Sequence, residues 1–202
     1  MNSFKPHPNY DVEVFDGIFD QKEIDSIYGL VSNSPFRFSN FDYGVPTSIY
    51  DHQLPKLMHL VTSRGELGES KEGNQLIINT FKPSIEKLLD PSFIKRCNQN
   101  ISMQINCSFP STIDRLHLDV SKNVKKGYTI LYYANKKWDV DFGGETLFYN
   151  NNQEIIAGVI PKPGRFVVFD SYIYHSARPP QSNCPYYRFS LAFKFREDYN
   201  KK

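Results

Sequence analysis

At 202 residues the chain has the length of one domain rather than two, enough to bury a sizeable core without disulfide staples. Hydrophobic residues make up 40% and charged residues 23%, which excludes extended disorder as the main state. Lys and Arg total 24 against 22 Asp and Glu, a net charge of +2 and too even a balance for an electrostatic binder, so neither nucleic acid nor membrane is expected as a partner.

Residues 11–19 alternate like a short strand. Asp20 followed by Glu23 then fits a capping box ahead of Ile24, Ile27, Tyr28 and Val31, which predicts a helix. The Ser-, Asn-, Pro- and Phe-rich run to Tyr50 reads as a strand and a long loop, residues 51–63 as a short helix starting near Pro55, and 64–73 as a polar surface loop. A stronger helix is predicted at about 74–89, with Leu76, Ile77, Phe81, Ile85, Leu88 and Leu89 largely on one face. From about residue 92 the period becomes two, and eight strand candidates follow: SFIKRCN, ISMQINCSF, YTILYYAN, GETLFYN, EIIAGVIP, GRFVVFDS, YIYHSARP and YRFSLAFKF. Helices early and strands late predict an antiparallel sheet pair or barrel with helices supporting one face, rather than a doubly wound sheet.

Cys97, Cys107 and Cys184 share no CxxC spacing, which argues against a disulfide framework and a zinc ribbon and reads as reduced thiols. Residues 1–10 lack the apolar stretch of a signal peptide, and no run of 18 apolar residues occurs, so a soluble, cytoplasmic protein is expected. On that expectation the sequons at Asn100 and Asn106 carry little weight.

The sharpest chemical feature is His117-Leu118-Asp119 in an extended segment, where a period of two puts His117 and Asp119 on one face. His175 lies 58 residues beyond His117 and Arg188 a further 13, each in a strand-like run that sheet folding can bring alongside. Two imidazoles and one carboxylate on one side of a metal leave open coordination positions, the arrangement of non-haem Fe(II) oxygenases, whereas a structural zinc would want four ligands. His52 and His59 sit in a polar, Pro-interrupted stretch without such a carboxylate, and His7 in a terminal segment.

From Met103 to Phe195 the motifs HLD, GYTILYYANKKWD, FGGETLF, IPKPGRFVVFD, YHSARP and YRFSLAF follow one another in order. In these the chain resembles the 2-oxoglutarate and Fe(II)-dependent dioxygenases, and among them the prolyl 4-hydroxylase-like group that includes the hypoxia-factor prolyl hydroxylases. The resemblance implies a mainly β (α+β) fold, a double-stranded β-helix or jelly roll with N-terminal supporting helices, in one domain over 1–202. Residues 1–91 would give helical support and substrate loops, and 92–198 the jelly-roll core. It implies Fe(II) held by His117, Asp119 and His175 as catalytic ligands, with 2-oxoglutarate as co-substrate, O2, and ascorbate as a reductant. Arg188 would bind the distal carboxylate of 2-oxoglutarate, a role its planar guanidinium suits on chemical grounds alone. Ser190 and Tyr133 would contact the same co-substrate, while Tyr132 faces the other side of the strand and packs.

The implied reaction is hydroxylation of an unactivated C–H bond with succinate and CO2 as co-products, and a carboxylate at Asp119 favours hydroxylation over halogenation. A prolyl residue of a peptide or protein leads as substrate, with a small metabolite or carbohydrate as the alternative and a catalytically silent jelly-roll binding module as a third reading. Lys126 and Trp138 lie where the group flanks its substrate entrance. Lys194 stands six past Arg188, where the hypoxia-type enzymes carry a tryptophan, and would suit an anionic small molecule or a sugar; Arg178, three past His175, points the same way or forms a structural salt bridge. Asp42, Tyr43 and Tyr50 would contribute recognition loops.

Overall fold

The computed structural model describes residues 1–38, 57–62, 75–97, 101–112, 114–120 and 123–199. Asp42, Tyr43, Tyr50, His52, Asn100 and the loop 64–73 lie outside them. In chain order the elements are β1 (Asn2–Phe4), β2 (Val12–Asp16), α1 (Gln21–Ser32), β3 (Arg37–Phe38), β4 (Leu57–Thr62), α2 (Gln75–Leu88), α3 (Pro91–Arg96), β5 (Ile101–Ser108), β6 (Val124–Tyr133), β7 (Thr146–Tyr149), β8 (Ile155–Val159), β9 (Phe166–Asp170), β10 (Tyr174–Ala177) and β11 (Arg188–Asp198).

The strands form an eight-stranded sheet in the order β1-β2-β9-β6-β11-β5-β4-β3 and a three-stranded sheet in the order β10-β7-β8, antiparallel throughout. Alternation along the central strands gives the large sheet two different faces. On β11, Phe189, Leu191, Phe193 and Phe195 join a core with Ile77, Ile78, Phe81 and Ile85 of α2 and Ile27 and Val31 of α1. The intervening Arg188, Ser190, Ala192 and Lys194 face the opposite way and line a cavity. β5 repeats the pattern, with Ile101, Met103, Ile105 and Cys107 toward the helices and Gln104, Asn106 and Ser108 toward the cavity. On the cavity side, Leu131, Tyr133, Val167 and Phe169 pack with Phe148, Ala157 and Val159 of the small sheet. The result is the mainly β jelly roll with N-terminal supporting helices.

Helix α1 starts where its capping box predicts: the Glu23 N–H donates to Asp20 Oδ1 at 2.8 Å and the Asp20 N–H to Glu23 Oε2 at 2.8 Å. Helix α2 covers the predicted span, but Leu76 is 58% exposed and Ile78 takes a core position. Two elements differ from the sequence expectation. The run 92–98, read as a strand, contains α3 instead, because the Asp90 side chain accepts the Ser92 N–H and Pro91 supplies a helical φ at the first turn. The helix near Pro55 is not formed across Leu57–Thr62, where the chain pairs with β5 as β4. A short helix is marginal alone, and a free sheet edge offers this backbone its hydrogen bonds. The first 91 residues therefore add four strands to the large sheet as well as helices. No helix among the described residues is long and apolar enough to cross a membrane.

Candidate metal and dicarboxylate site

His117 does not lie in a regular strand. It forms a single antiparallel bridge with His175, in which each backbone N–H donates to the other's carbonyl at 3.0 Å. The bridge sets the two rings 4.3 Å apart, centroid to centroid. Asp119 is fixed two residues on by its N–H to the Ser171 carbonyl at 3.1 Å. The sheet thus delivers three side chains whose ligand atoms lie within 4.8 Å of one another.

The ring nitrogens are assigned by their partners. His117 Nδ1 faces the Arg115 carbonyl at 2.7 Å and His175 Nδ1 the Ile173 carbonyl at 3.0 Å. A carbonyl can only accept, so Nδ1 carries the hydrogen in each and the neutral ring presents the Nε2 lone pair. These Nε2 atoms stand 3.6 and 3.5 Å from the Asp119 carboxylate. Asp119 Oδ2 accepts from Thr129 Oγ1 at 2.8 Å, and the Thr129 oxygen is itself 3.0 Å from Ser171 Oγ. The buried Oδ1 takes no hydrogen bond from a neutral donor and faces the Lys194 ammonium 2.6 Å away. Two oriented imidazole lone pairs and one carboxylate oxygen that only a cation approaches fit a divalent first-row metal, and the N,N,O set suits Fe(II).

Electrostatics agree with ligation. Burial pushes the Asp119 carboxyl up, but Lys194, His175 and His117 outweigh it and hold the group well below the usual carboxylate range. Burial and then the charge of His175 lower His117 below the ordinary imidazole value, against the pull of Asp114 and Asp119, which favours the neutral form a metal needs.

Arg188 opens β11 on the same cavity wall, 1% exposed. Its Nε donates to the Gly144 carbonyl at 2.6 Å, Nη1 to Ser190 Oγ at 3.4 Å and Nη2 to Thr146 Oγ1 at 3.0 Å. A planar guanidinium has five hydrogens, more than these three contacts use, and is suited to grip a carboxylate. Burial lowers this guanidinium's pKa while Tyr133, Asp114 and Glu145 oppose that shift. A carboxylate ligand would complete the compensation.

Tyr133 is placed beneath this group rather than on the cavity lining. Its phenol donates to Thr146 Oγ1 at 2.8 Å, and its ring lies 5.2 Å from the Arg188 guanidinium carbon. Ser190 lines the cavity. Lys126 is exposed over the rings of Phe93 and Tyr128, on the helix side, because it falls on the opposite face of β6 from Thr129 and Leu131. Trp138 is half-buried, its indole N–H given to the Gly143 carbonyl at 2.9 Å, and Arg178 is exposed, its backbone N–H given to Glu145. None of these three lines the cavity, whereas Lys194 does, with its side chain 14% exposed.

The sequence reading missed Thr129, Thr146, Gln104 and Asn106. Gln104 and Asn106 did carry a signal: they are polar residues at the alternate positions of β5, whose other positions are all apolar. His59 is in β4, whose side chains are outside the described ones.

Residues 103–196 match the sequence model of the 2OG-Fe(II) oxygenase superfamily. Among curated proteins, none matches the chain. The fold is similar to a prolyl-4-hydroxylase from Pseudomonas putida (14% identity, TM-score 0.60, 94% of each chain covered). It is also similar to a prolyl hydroxylase from Trichoplax adhaerens solved with a hypoxia inducible factor peptide fragment (16%, TM-score 0.65, 94% of this chain and 84% of that one). A third likeness is the viral collagen prolyl hydroxylase of Paramecium Bursaria Chlorella virus-1 in its 2OG complex (14%, TM-score 0.56, 93% and 96%).

Proposed function

With residues 103–196 belonging to the 2OG-Fe(II) oxygenase superfamily, and the chain therefore a 2-oxoglutarate- and Fe(II)-dependent dioxygenase, we propose that it hydroxylates an unactivated C–H bond of a prolyl side chain in a peptide or protein. His117, Asp119 and His175 hold the iron, and Arg188 holds the distal carboxylate of 2-oxoglutarate. One observation carries this reading: two Nε2 lone pairs and the Asp119 carboxylate converge at one part of a cavity whose other part contains a buried guanidinium. Bound Fe(II) supplies the oxygen chemistry, in which 2-oxoglutarate becomes succinate and CO2.

The chain's own contribution is orientation and exclusion of water. The backbone bridge and the carbonyl partners of both Nδ1 atoms fix the ligand rings before any metal arrives. Thr129 holds one carboxylate oxygen of Asp119 and leaves the other for the metal. Gly144, Ser190 and Thr146 aim the guanidinium, and Leu131 and Phe169 give the cavity apolar walls. The prolyl assignment draws on the likeness to the P. putida and T. adhaerens proteins. A second reading, a small polar metabolite, is favoured by the Lys194 ammonium and the Gln104 carboxamide in the same cavity.

Anaerobic titration with Fe(II) and 2-oxoglutarate tests the site: the weak visible charge-transfer band is expected, and no band with no iron uptake would favour a silent binding module. A succinate-formation screen with proline peptides and small metabolites tests the substrate. Stimulation by free metabolites alone would retire the prolyl reading.

A further inference from the structure

Lys194 is a long cationic side chain kept inside the cavity. Register explains why: on the large sheet it stands level with Thr129 of β6 and Ser102 of β5, in the row that meets Asp119. Its side chain is 14% exposed, where lysines ordinarily carry the ammonium out to water. Its immediate neighbour on the same face of β11 is Ala192, and Gln104 lies directly across from that alanine, so the small residue leaves floor space between the ammonium and the carboxamide.

Asp119 and Asp114 are the acids of the cavity lining among the described residues. Asp114 accepts the Ala177 N–H at 2.8 Å, and its charge bears on His117 and Arg188. Asp119 Oδ2 is taken by Thr129, and Oδ1, which only the Lys194 ammonium approaches, is the oxygen available to the metal. A divalent cation sharing that oxygen repels the ammonium and takes its counter-charge, and a shielded ammonium without a partner is costly. We propose, building on the function given above, that the primary substrate carries a carboxylate close to the carbon that is oxidised, and that Lys194, assisted by Gln104, receives it. The carboxylate belongs either to a free acid or to an acidic residue flanking the target in a peptide.

The test uses the full chain loaded with Fe(II) and 2-oxoglutarate under nitrogen. Binding of N-acetyl-L-proline is compared with that of its neutral amide, and of the peptide Ac-Gly-Pro-Glu-NH2 with Ac-Gly-Pro-Gln-NH2, by calorimetry and by perturbation of the visible band. In at least one pair the acid binds about tenfold or more tightly than its neutral twin, as hydrogen bonds to a charged group imply; Lys194→Met erases the difference and Lys194→Arg restores part of it. Preference within the first pair assigns a free acid, and within the second a peptide. Equal binding within both pairs, or no binding by either acid, overturns the inference, as does a Lys194→Met variant that weakens 2-oxoglutarate instead. A wild-type chain that gives no band overturns the dioxygenase reading and the inference with it, whereas a band without acid preference overturns the inference alone.

Discussion

Thr146 is the hinge of the dicarboxylate end because one oxygen accepts from both Arg188 Nη2 and Tyr133. Both acceptor lone pairs are then used, so its own hydrogen is left to donate. Thr146→Val keeps the shape and strands the buried Arg188 Nη2 donor, at about 1–3 kcal/mol, while the Tyr133 hydroxyl keeps the Val159 carbonyl at 3.3 Å. The expected outcome is a 2-oxoglutarate affinity roughly tenfold or more weaker, measured by titration of the Fe(II)-loaded protein, with Thr146→Ser close to wild type. Gly144 is a second such point. Its φ is +78°, and an added Cβ would stand 2.9 Å from Trp138 Cζ2 and 3.1 Å from Arg188 Cδ. Gly144→Ala should therefore displace the guanidinium and abolish saturable 2-oxoglutarate binding while metal uptake, followed separately, persists. At this scale the HLD tripeptide and the spacing to His175 and Arg188 were legible, since residues two apart in extended backbone share a face. Thr146 and Thr129 were not, because their importance lies in the partners that tertiary folding brings, and a lone threonine in a strand has many blander explanations.

The strands of the large sheet were legible for the same reason that the cavity exists. RFSLAFKF alternates four aromatic or aliphatic residues with Arg, Ser, Ala and Lys, and only a sheet with one greasy and one wet face satisfies both sets. α3 was not legible, because six residues are too few for either period to declare itself and the Asp90-Pro91 start decides the matter locally. The β2–β9 pair has its own lock: Arg165, one residue before β9, holds Asp16 at the end of β2 through two nitrogens, both at 2.9 Å. The Arg165 hydrogen bonds, against burial and with help from its charge and that of Lys162, lower the Asp16 carboxyl. A lowered carboxyl pKa means stability present above the unfolded value, about 3.9, and lost as pH falls through the folded value. Arg165→Gln should cost on the order of 1 kcal/mol near neutrality and remove that part of the acid-induced loss below about pH 4. Thermal melts of both proteins from pH 7 to pH 3 measure it, and parallel acid limbs would disprove the link.

Across the whole molecule, the two faces of one sheet divide labour. Phe81 of α2 is 1% exposed and meets Phe19, Tyr132, Phe166 and Phe193, all on the helix side. Phe81→Ala should cost about 3–5 kcal/mol, read as a lower urea midpoint at an unchanged slope. The cavity lies across the sheet from this void, so well below the transition the surviving folded protein should bind Fe(II) and 2-oxoglutarate as wild type does. Ala192→Leu is the converse. It adds three carbons to the cavity floor between Arg188 and Lys194 on the side away from the Phe81 core, so the urea midpoint should move less than for Phe81→Ala while ligand binding collapses. The sheet backbone is shared by both variants, and only the side to which the altered side chain points differs. If Phe81→Ala weakened ligand binding in the folded state as much as Ala192→Leu does, the sheet would be transmitting strain from one face to the other, and the separation of stability from site that its alternation implies would not hold.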